Sequence, residues 1–208
     1  MTDAKKVCAK KACEYLKDDL ILGIGTGKTV QSFIAELAPW RNRLQAVVAS
    51  SIVTAEQLKS LNFTITELNN VHGLDLYIDS ADEINEHKQM IKGGGGALTR
   101  EKILATASKT FICMAEKNKM VDLLGKKAPI PIEVLPMARS FVAREIVKLG
   151  GQPEYRVGFK TDNGNVILDC YYLDCSNPLA LEKTLNNIPG VVANGIFAQR
   201  SADIWLHE

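Results

Sequence analysis

The sequence lacks the residue patterns that most metal sites and disulfide frameworks require. Its five cysteines include no CxxC pair, and their number is odd. The three histidines, His72, His87 and His207, are scattered without the spacing of metal ligands. We therefore expect free thiols of the kind found in cytoplasmic proteins, and we predict neither a disulfide framework nor a bound metal.

Long apolar runs and an excess of charge are also missing. No apolar stretch approaches the ~18 residues of a membrane-spanning helix. The N-terminal stretch "MTDAKKVCAKKACEYLKDDL" has no apolar core, so we expect no signal peptide. The 25 basic and 24 acidic residues leave a net charge of +1. The sequence therefore predicts neither a membrane nor a nucleic acid as a partner.

The first part of the chain alternates between helical and strand patterns. Apolar residues recur at helical spacing over residues 3–18, which predicts a helix. The predicted strands that follow are "LILGIG", "LQAVVAS", "LDLYID" and "KTFICMAE", and the predicted helices between them are "KTVQSFIAEL", "SIVTAEQLKSL" and "GALTREKILATA". Apolar strands separated by helices predict an α/β fold, with a parallel sheet that helices cover on both faces.

The pattern changes at "GKKAPIPIEVLP", whose three prolines predict a boundary or linker rather than a central strand. A helix, a hairpin signal at Asp162-Asn163-Gly164 and a second helix follow, which predicts a small α+β domain with an antiparallel sheet. Two short strand-like runs close the chain, and we expect them to return to the first domain. The predicted domains are 1–126 plus 197–208, and 127–196.

The segment "ILGIGTGKTV", residues 21–30, leads a predicted strand through three glycines into a predicted helix. It does not fit the P-loop, which needs a glycine at the position of Leu22, or the dinucleotide fingerprint. A tight strand-to-helix turn is an ordinary structural explanation. Lys28, however, lies in the first helical turn, where its positive charge opposes the helix dipole. This costs about 0.3–1 kcal/mol of helix stability when the side chain is exposed. A bound anion would offset that cost, so we predict an anion site here.

Three hydroxyl residues, Ser50, Ser51 and Thr54, stand at the next strand-to-helix junction. Helix N-capping explains any one of them. They bear on function only if this junction lies beside the first loop.

Three acids, Asp79, Asp82 and Glu83, follow a predicted buried strand in "DLYIDSADEIN". Ser80 and Glu83 fit a capping box, which accounts for both residues. Asp79 and Asp82 have no such explanation, and residues that leave the carboxyl end of a parallel strand line the ligand crevice. Because two carboxylates repel each other, either one takes up a proton or a cation lies nearby, a metal ion or a lysine.

The run "IKGGGGALTREK" contains four consecutive glycines. A flexible linker is the usual meaning of such a run, but here it lies between apolar residues and a predicted helix. Glycines let a backbone approach a ligand closely and point successive N–H groups at it. Lys92 precedes the run, and Glu101 follows in the helix, where the helix dipole alone also favours an acid. The four clusters together indicate a ligand site at the carboxyl edge of one sheet.

These segments resemble the A-type family of ribose-5-phosphate isomerases over essentially the whole chain. "GIGTGKTV", "DLYIDSADEIN", "KGGGGALTREK" and "PIPIEVLPMA" match the motifs of that family in order and wording. The resemblance implies a Rossmann-like domain with a smaller α+β domain, assembled as a homodimer or homotetramer. It implies interconversion of ribose 5-phosphate and ribulose 5-phosphate through an enediol, with no metal and no organic cofactor.

The resemblance also implies roles for individual residues. Glu101 is implied to be the base that moves the proton between C2 and C1, and Asp79, Asp82 and Lys92 to handle ring opening and the hydroxyl protons. The implied substrate-binding residues are Thr26, Gly27, Lys28, Thr29, Asp79, Ser80, Ala81, Asp82, Lys92, Gly93, Gly94, Gly95 and Lys119. Such an isomerisation needs a carboxylate base and a donor for the developing enediolate oxygen, and Lys92 and the glycine N–H groups are suitable donors.

Three features depart from the family pattern. Lys28 and Ser80 stand where serine and glycine are usual, and the chain ends at Glu208, where relatives commonly add a short strand. Lys28 is expected either to strengthen phosphate binding or to crowd the loop, and Ser80 to be strained if the position needs a glycine-only φ.

Two functions from other classes remain as alternatives. A sugar-phosphate sensor domain of a transcription regulator would need a DNA-binding domain, and only one predicted helix precedes the first strand. A nucleotide-dependent kinase, suggested by "GKT", lacks the first P-loop glycine. Turnover of ribose 5-phosphate in EDTA without nucleotide separates all three.

Overall fold

The structure is a computed structural model that describes residues 3–208. The helices are α1 (Asp3–Cys13), α2 (Lys28–Glu36), α3 (Ile52–Ser60), α4 (Leu98–Thr106), α5 (Arg139–Lys148) and α6 (Pro178–Asn186). The strands are β1 (Ile21–Ile24), β2 (Ala46–Ala49), β3 (Leu74–Ser80), β4 (Glu83–Ile84), β5 (Met90–Ile91), β6 (Ser108–Met114), β7 (Ile130–Val134), β8 (Gln152–Tyr155), β9 (Val166–Tyr171), β10 (Val191–Asn194), β11 (Ile196–Phe197) and β12 (Ile204–Leu206).

The predicted parallel sheet is confirmed. Its five strands lie in the order β12-β6-β3-β1-β2, and every neighbouring pair is parallel. From β1 the chain continues to β2 on one side and later to β3 on the other, so the strand order reverses between β1 and β3. In open α/β sheets the ligand crevice forms at the carboxyl ends of the strands that flank such a switch point. The segments that begin at Gly25 and Asp79 therefore occupy the favoured position.

The core of this sheet follows from its apolar strands. β1 and β3 are buried along nearly their whole length, as expected for central parallel strands. α1 and α2 pack against each other and against the sheet, with Phe33 and Ile34 of α2 fully buried. The predicted helix over residues 3–18 is too long, because α1 ends at Cys13 and the chain turns at Asp19, whose φ is 60°.

The second half of the chain forms the predicted antiparallel sheet. Its four strands lie in the order β10-β7-β9-β8, and α5 packs on β8 and β9. The predicted hairpin pairs β8 with β9, although residues 156–165 connect them in place of a two-residue turn. A further small antiparallel sheet, β11-β5-β4, was not predicted, although β11 is the first of the two strand-like runs expected at the end of the chain. The second run, β12, joins the parallel sheet as expected, whereas β11 pairs with β5.

The prediction that "PIPIEVLP" cannot form a central strand is wrong. β7 contains Pro131 and lies between β10 and β9. The carbonyl oxygen of Pro131 accepts a hydrogen bond from Gly195 N–H at 2.7 Å, so the nitrogen of Pro131 faces that same side. The ladder with β10 ends at the pair Ile132–Asn194, and Ile132 is the residue that directly follows the proline. The missing N–H therefore falls where no ladder bond is needed.

The chain divides into two compact units. Unit 1 contains the described residues up to Ala81, Arg100–Lys119 and Ala202–Glu208, and unit 2 contains Asp82–Thr99 and Met120–Ser201. The predicted boundaries differ from this division at residues 82–99, 120–126 and 197–201, because β4 and β5 pair with β11 of unit 2. Met1 and Thr2 of the predicted first domain lie outside the described residues.

Two features of the chain bear on its chemistry. The cysteines are free thiols, all of them buried except Cys13, which is half-buried. Burial raises the pKa of the Cys13 and Cys175 thiols to about 11, so both stay protonated near neutral pH. Within residues 3–208, no helix is long and apolar enough to cross a lipid bilayer.

Candidate active site

The turn after β1 depends on a close approach between Gly25 and Asp79. A Cβ atom on Gly25 would lie 2.0 Å from the carboxyl group of Asp79, so no other residue fits at this position. Gly25 N–H donates to Ile78 O at 2.9 Å, which continues the pairing of β1 with β3. The glycine therefore brings the loop against the end of β3.

Asp79 holds this turn with both carboxylate oxygens. Its Oδ1 accepts hydrogen bonds from Thr26 N–H (3.2 Å) and Ser80 N–H (2.7 Å), and its Oδ2 accepts one from the Tyr77 hydroxyl at 2.5 Å. The carboxylate is fully buried, and charge-assisted bonds of this kind are what a buried carboxylate needs. Asp79 is thus a structural centre of the loop.

Tyr77 lies below this carboxylate, also fully buried. Burial raises its pKa well above the ordinary value of 10.0, and the negative charges of Asp79 and Glu101 raise it further. The hydroxyl therefore remains a proton donor to Asp79 at any physiological pH. The Asp79 and Glu101 carboxylates therefore both act electrostatically on the Tyr77 hydroxyl.

The hydroxyl residues at the start of α3 lie beside the first loop, which is the condition that gives them a bearing on function. Thr26 Oγ1 lies 2.9 Å from Ser50 Oγ and donates to Ser51 Oγ at 2.8 Å. Ser51 Oγ donates in turn to Thr54 Oγ1 (3.0 Å), which donates to Gly25 O (2.8 Å). Ser51 also caps α3, accepting a bond from Thr54 N–H at 3.1 Å. The capping explanation and the loop contact are both confirmed.

The predicted anion site is the start of α2. The helix begins at Lys28, directly after Gly27, whose φ of 118° suits glycine. The first turn carries no acidic residue and the N-cap makes no side-chain hydrogen bond, so the N-terminal N–H groups are available for an anion. Lys28 is exposed and Thr29 half-buried at this opening.

The segment after β3 contradicts the predicted capping box and shows no backbone strain at Ser80. No helix begins at Ser80, so the capping box of Ser80 and Glu83 does not form; Glu83 is a fully buried residue of β4. Its carboxylate accepts hydrogen bonds from the N–H groups of Gly125, Lys127 and Ala128 in unit 2. Ser80 is absent from the described non-glycine residues with positive φ, so serine brings no left-handed strain there. Ser80 and Ala81 are half-buried.

The glycine run begins after β5 and is tied to Asp82. Asp82 N–H donates to Ile91 O at 2.9 Å, and Asp82 Oδ2 accepts a bond from Gly94 N–H at 2.8 Å. Gly94 and Gly95 are exposed, whereas Gly93 is buried. Asp82 therefore contacts the run within unit 2, and the backbone of Gly94 and Gly95 reaches the surface.

Lys92 precedes the run and is 2% exposed. Its N–H donates to Gly195 O at 2.9 Å, and its ammonium lies 5.5 Å from the centroid of the Phe197 ring. A buried ammonium beside an aromatic face keeps a strong preference for negative charge. Lys92 is therefore suited to hold developing anionic charge.

Glu101 lies in the first turns of α4 and is 4% exposed. The start of this helix is fixed by Glu133, because the Thr99 hydroxyl donates to the buried Glu133 carboxylate. That carboxylate also accepts bonds from Thr161 Oγ1 (2.8 Å) and Asn165 Nδ2 (2.7 Å). The chain passes from unit 2 to unit 1 between Thr99 and Arg100, inside α4, so Glu101 follows a helix start that is firmly held.

Lys119 is half-buried at the end of a short 3-10 helix, Lys117–Lys119, in which its N–H donates to Glu116 O at 2.9 Å. It belongs to unit 1, as do the loop residues 26–29. Over residues 3–208 there is no group of three or more His, Cys, Asp or Glu side chains placed to hold a metal ion.

Sequence reasoning missed four residues that organise this region: Tyr77, Glu133, Arg156 and Asp169. Glu133 could have been found as a charged residue inside the apolar run "PIPIEVLP". Tyr77 could have been found because it shares a strand face with Asp79, two residues on. Arg156 and Asp169 have no local signal, because they act on glycines more than 60 residues away in the chain.

Comparison with known proteins agrees with these motifs. The family model of ribose 5-phosphate isomerase A (phosphoriboisomerase A) matches residues 46–208. Ribose-5-phosphate isomerase A of Legionella pneumophila (strain Corby) is 55% identical over 203 residues, which cover 98% of this chain and 94% of the relative. The chain belongs to the ribose 5-phosphate isomerase A family. The predicted family is thereby confirmed.

Solved structures of the family have the same fold. The crystal structure of ribose 5 phosphate isomerase A from Neisseria gonorrhoeae superposes with a TM-score of 0.94, at 42% identity, covering 98% of this chain and 94% of that one. A D-ribose-5-phosphate isomerase in complex with phospho-erythronic acid superposes with a TM-score of 0.91, at 36% identity, covering 96% and 92%. The predicted α/β fold with a smaller antiparallel-sheet domain is therefore confirmed.

Proposed function

We propose that the protein interconverts D-ribose 5-phosphate and D-ribulose 5-phosphate through an enediol. The observation that carries this proposal is the 55% identity to a ribose-5-phosphate isomerase A over 98% of the chain. The four motifs that carry chemistry lie at the positions described above.

The loop after β1 binds the phosphate group in this proposal. The first-turn N–H groups of α2, the side chains of Thr26 and Thr29, and the charge of Lys28 favour an anion. Lys119 adds a further cation, and Gly27 allows the backbone to approach. Asp79, Ser80 and Ala81 shape the loop from the end of β3. The buried Asp79 carboxylate, with three donors, is better placed to hold the loop than to exchange protons during ring opening, although ring opening stays a prediction for it.

Glu101 is the general base in this proposal. It takes the proton from C2 of the open-chain aldose, which leaves an enediolate, and returns it to C1 to give the ketose. Lys92 and the exposed N–H group of Gly95 stabilise the negative charge on the enediolate oxygen, and Gly93 and Gly94 line the substrate. Asp82, half-buried and bonded to Gly94 N–H, moves the hydroxyl protons during ring opening and enediol formation. No step needs a metal or an organic cofactor.

The ligand of one relative supports this division of labour. Phospho-erythronic acid carries a phosphate at one end and a carboxylate at the other, and a carboxylate is planar and anionic, as an enediolate is. A protein that binds it provides both a phosphate site and an oxyanion site. The loop after β1 is the phosphate site in this proposal, and the glycine run supplies an N–H donor for the oxyanion.

The assembly and location of the protein are also proposed from the family. We expect a homodimer or homotetramer that works in the cytoplasm on a small sugar phosphate. Light scattering on the purified protein distinguishes a monomer from either assembly.

Turnover of ribose 5-phosphate in the presence of EDTA and without nucleotide tests the proposed function. We expect full activity under these conditions. Loss of activity on chelation, restored by Mg²⁺ or Mn²⁺, would contradict the metal-free mechanism. Binding of the sugar phosphate without turnover would instead favour a sensor domain, and a requirement for nucleotide would favour a kinase.

A further inference from the structure

Arg156 lies just after β8 and makes two sets of hydrogen bonds within unit 2. Its Nε and Nη2 donate to Asp169 Oδ2 (2.8 Å) and Oδ1 (2.6 Å), which is a bidentate ion pair. Its Nη1 donates to Gly93 O (3.3 Å) and Gly94 O (3.2 Å), and Nη2 also reaches Gly93 O at 3.4 Å. One guanidinium therefore joins β9 to two successive carbonyl groups of the glycine run.

Holding these carbonyl groups also sets the direction of the N–H groups. In a trans peptide the C=O and N–H bonds point in opposite directions. The N–H groups of Gly94 and Gly95 share peptide groups with the two carbonyls that Arg156 holds, so both point away from the guanidinium. Gly94 N–H accordingly reaches Asp82 Oδ2 at 2.8 Å. Gly95 N–H has no acceptor among the described residues, and Gly95 is exposed, so this donor is available to a ligand.

The arginine itself is held in place. Its side chain is 19% exposed and that of Asp169 16%, so solvent screens the ion pair only partly. Its N–H donates to Ile167 O at 3.0 Å, and its guanidinium lies 5.3 Å from the Phe159 ring centroid. A Cβ atom on Gly96 would lie 2.2 Å from that ring. The ring therefore closes the space beside the glycines, and the guanidinium has little freedom to shift.

We propose that Arg156, oriented by Asp169, is a positioning residue that aims the N–H group of Gly95 at the negative charge that develops during isomerisation. The inference rests on the proposed function and deepens it. Glycine peptides have many accessible orientations, so an N–H donor in such a run is effective only if something fixes it. Arg156 supplies that constraint from the side opposite to the ligand, and its positive charge favours the enediolate.

Lysine cannot replace arginine here. The planar guanidinium presents donors on two edges, one edge for the carboxylate and the other for the carbonyl groups. An ammonium is a point charge and cannot span both. The Asp169 carboxylate matters for the same reason, because it fixes the plane in which the guanidinium meets the glycines.

Steady-state kinetics of Arg156→Met test the proposal, with inorganic phosphate and phospho-erythronic acid as inhibitors. Misaligning an oxyanion donor without removing it is expected to lower kcat about ten- to a hundredfold. The inhibition constant of phospho-erythronic acid should rise by about tenfold, whereas that of inorganic phosphate should stay within about twofold, because phosphate binds at the loop after β1. Arg139→Met is the matched control. The Arg139 guanidinium lies 4.5 Å from the centroid of the Tyr155 ring and makes no contact with the glycines. The kinetics of this variant should equal those of wild type.

Two further variants separate positioning from folding. Arg156→Lys keeps the charge and the aliphatic stem, and we expect it to melt like wild type but to show the same split between the two inhibitors. Asp169→Asn should act in the same direction, and the Arg156→Met/Asp169→Asn double variant should be no slower than Arg156→Met alone, because the two residues act as one unit.

The outcomes are distinct. If wild type is active and Arg156→Met and Arg156→Lys are equally active, the inference is overturned while the proposed function stands. A fall in kcat with both inhibition constants unchanged also overturns it, because that pattern reflects a smaller folded fraction. A wild type that turns over no ribose 5-phosphate overturns the proposed function, and the inference with it.

Discussion

The loop after β1 and the glycine run after β5 differ in how their neighbours hold the backbone. In the first loop the Gly25–Thr26 peptide group is held at both ends, since Thr54 donates to Gly25 O and Asp79 accepts from Thr26 N–H. In the glycine run, Arg156 holds the carbonyl groups of Gly93 and Gly94.

The difference follows from the charge that each segment is proposed to meet. A phosphate keeps its charge throughout the reaction, so its loop needs a fixed set of N–H groups at a helix start and a framework that does not move. An enediolate has its charge only briefly, so its donors must be aimed in advance and supported by a cation. The Asp79 carboxylate lies behind the phosphate loop, where three hydrogen bonds disperse its charge, whereas a guanidinium lies behind the glycine run.

The comparison predicts opposite tolerance to added side chains, and this is the largest expected effect. Gly25→Ala should lower the unfolding free energy by about 3 kcal/mol or more, because overpacking adds to the displacement of the buried Asp79 carboxylate from its donors. Gly95→Ala should change it by less than about 1 kcal/mol, because a Cβ atom there meets nothing within 4 Å. Urea unfolding measures both. Equal losses would show that the first loop adapts to a displaced Asp79.

Tyr77→Phe sharpens the comparison by removing one donor from Asp79. We expect a loss of about 1.5–3 kcal/mol at pH 8, the range for a hydrogen bond to a charged group. The pKa of Tyr77 is raised in the folded state, so its contribution is complete below the unfolded pKa of about 10 and is lost as pH rises above that value. The difference between wild type and Tyr77→Phe should therefore shrink above about pH 10. Urea titrations at pH 8 and 10.5 check this, and a constant difference would refute the buried, protonated hydroxyl.

Lys28→Ser has the smallest expected effect. If the Lys28 ammonium contacts the substrate phosphate, KM should rise several-fold while kcat stays nearly unchanged, the pattern of lost uniform binding. Inhibition by inorganic phosphate should then depend less on salt in the variant than in wild type. Lys17→Ser, which removes an exposed charge elsewhere in unit 1, is the control. An unchanged KM would place the Lys28 ammonium in solvent.

How far the sequence predicts this molecule depends on how local each feature is. Apolar runs and glycine turns predicted the parallel sheet, and the spacing of Ser50, Ser51 and Thr54 predicted a capped helix start. These features depend on near neighbours in the chain. The family resemblance was readable for the same reason, because each motif is a continuous segment.

The errors arose where distant pairing decides the outcome. Pro131 was misread because its tolerance depends on where the β10 ladder ends, and Ser80 with Glu83 because β5 and β11 turn the following residues into a strand. The domain boundary at residue 82 also depends on that small sheet. The hydrogen bonds from Arg156 to the glycine carbonyl groups could not be predicted, because no local sequence pattern links Arg156 to the glycines.

Exchange of the C2 hydrogen of ribose 5-phosphate with solvent, compared between wild type and Glu101→Gln, tests the central claim most directly. Glutamine keeps the size of the side chain but cannot accept the proton, so exchange and kcat should fall together by at least about 10²-fold, with substrate affinity roughly kept. Near wild-type exchange in Glu101→Gln, together with its loss in Asp79→Asn or Asp82→Asn, would show that another carboxylate is the base.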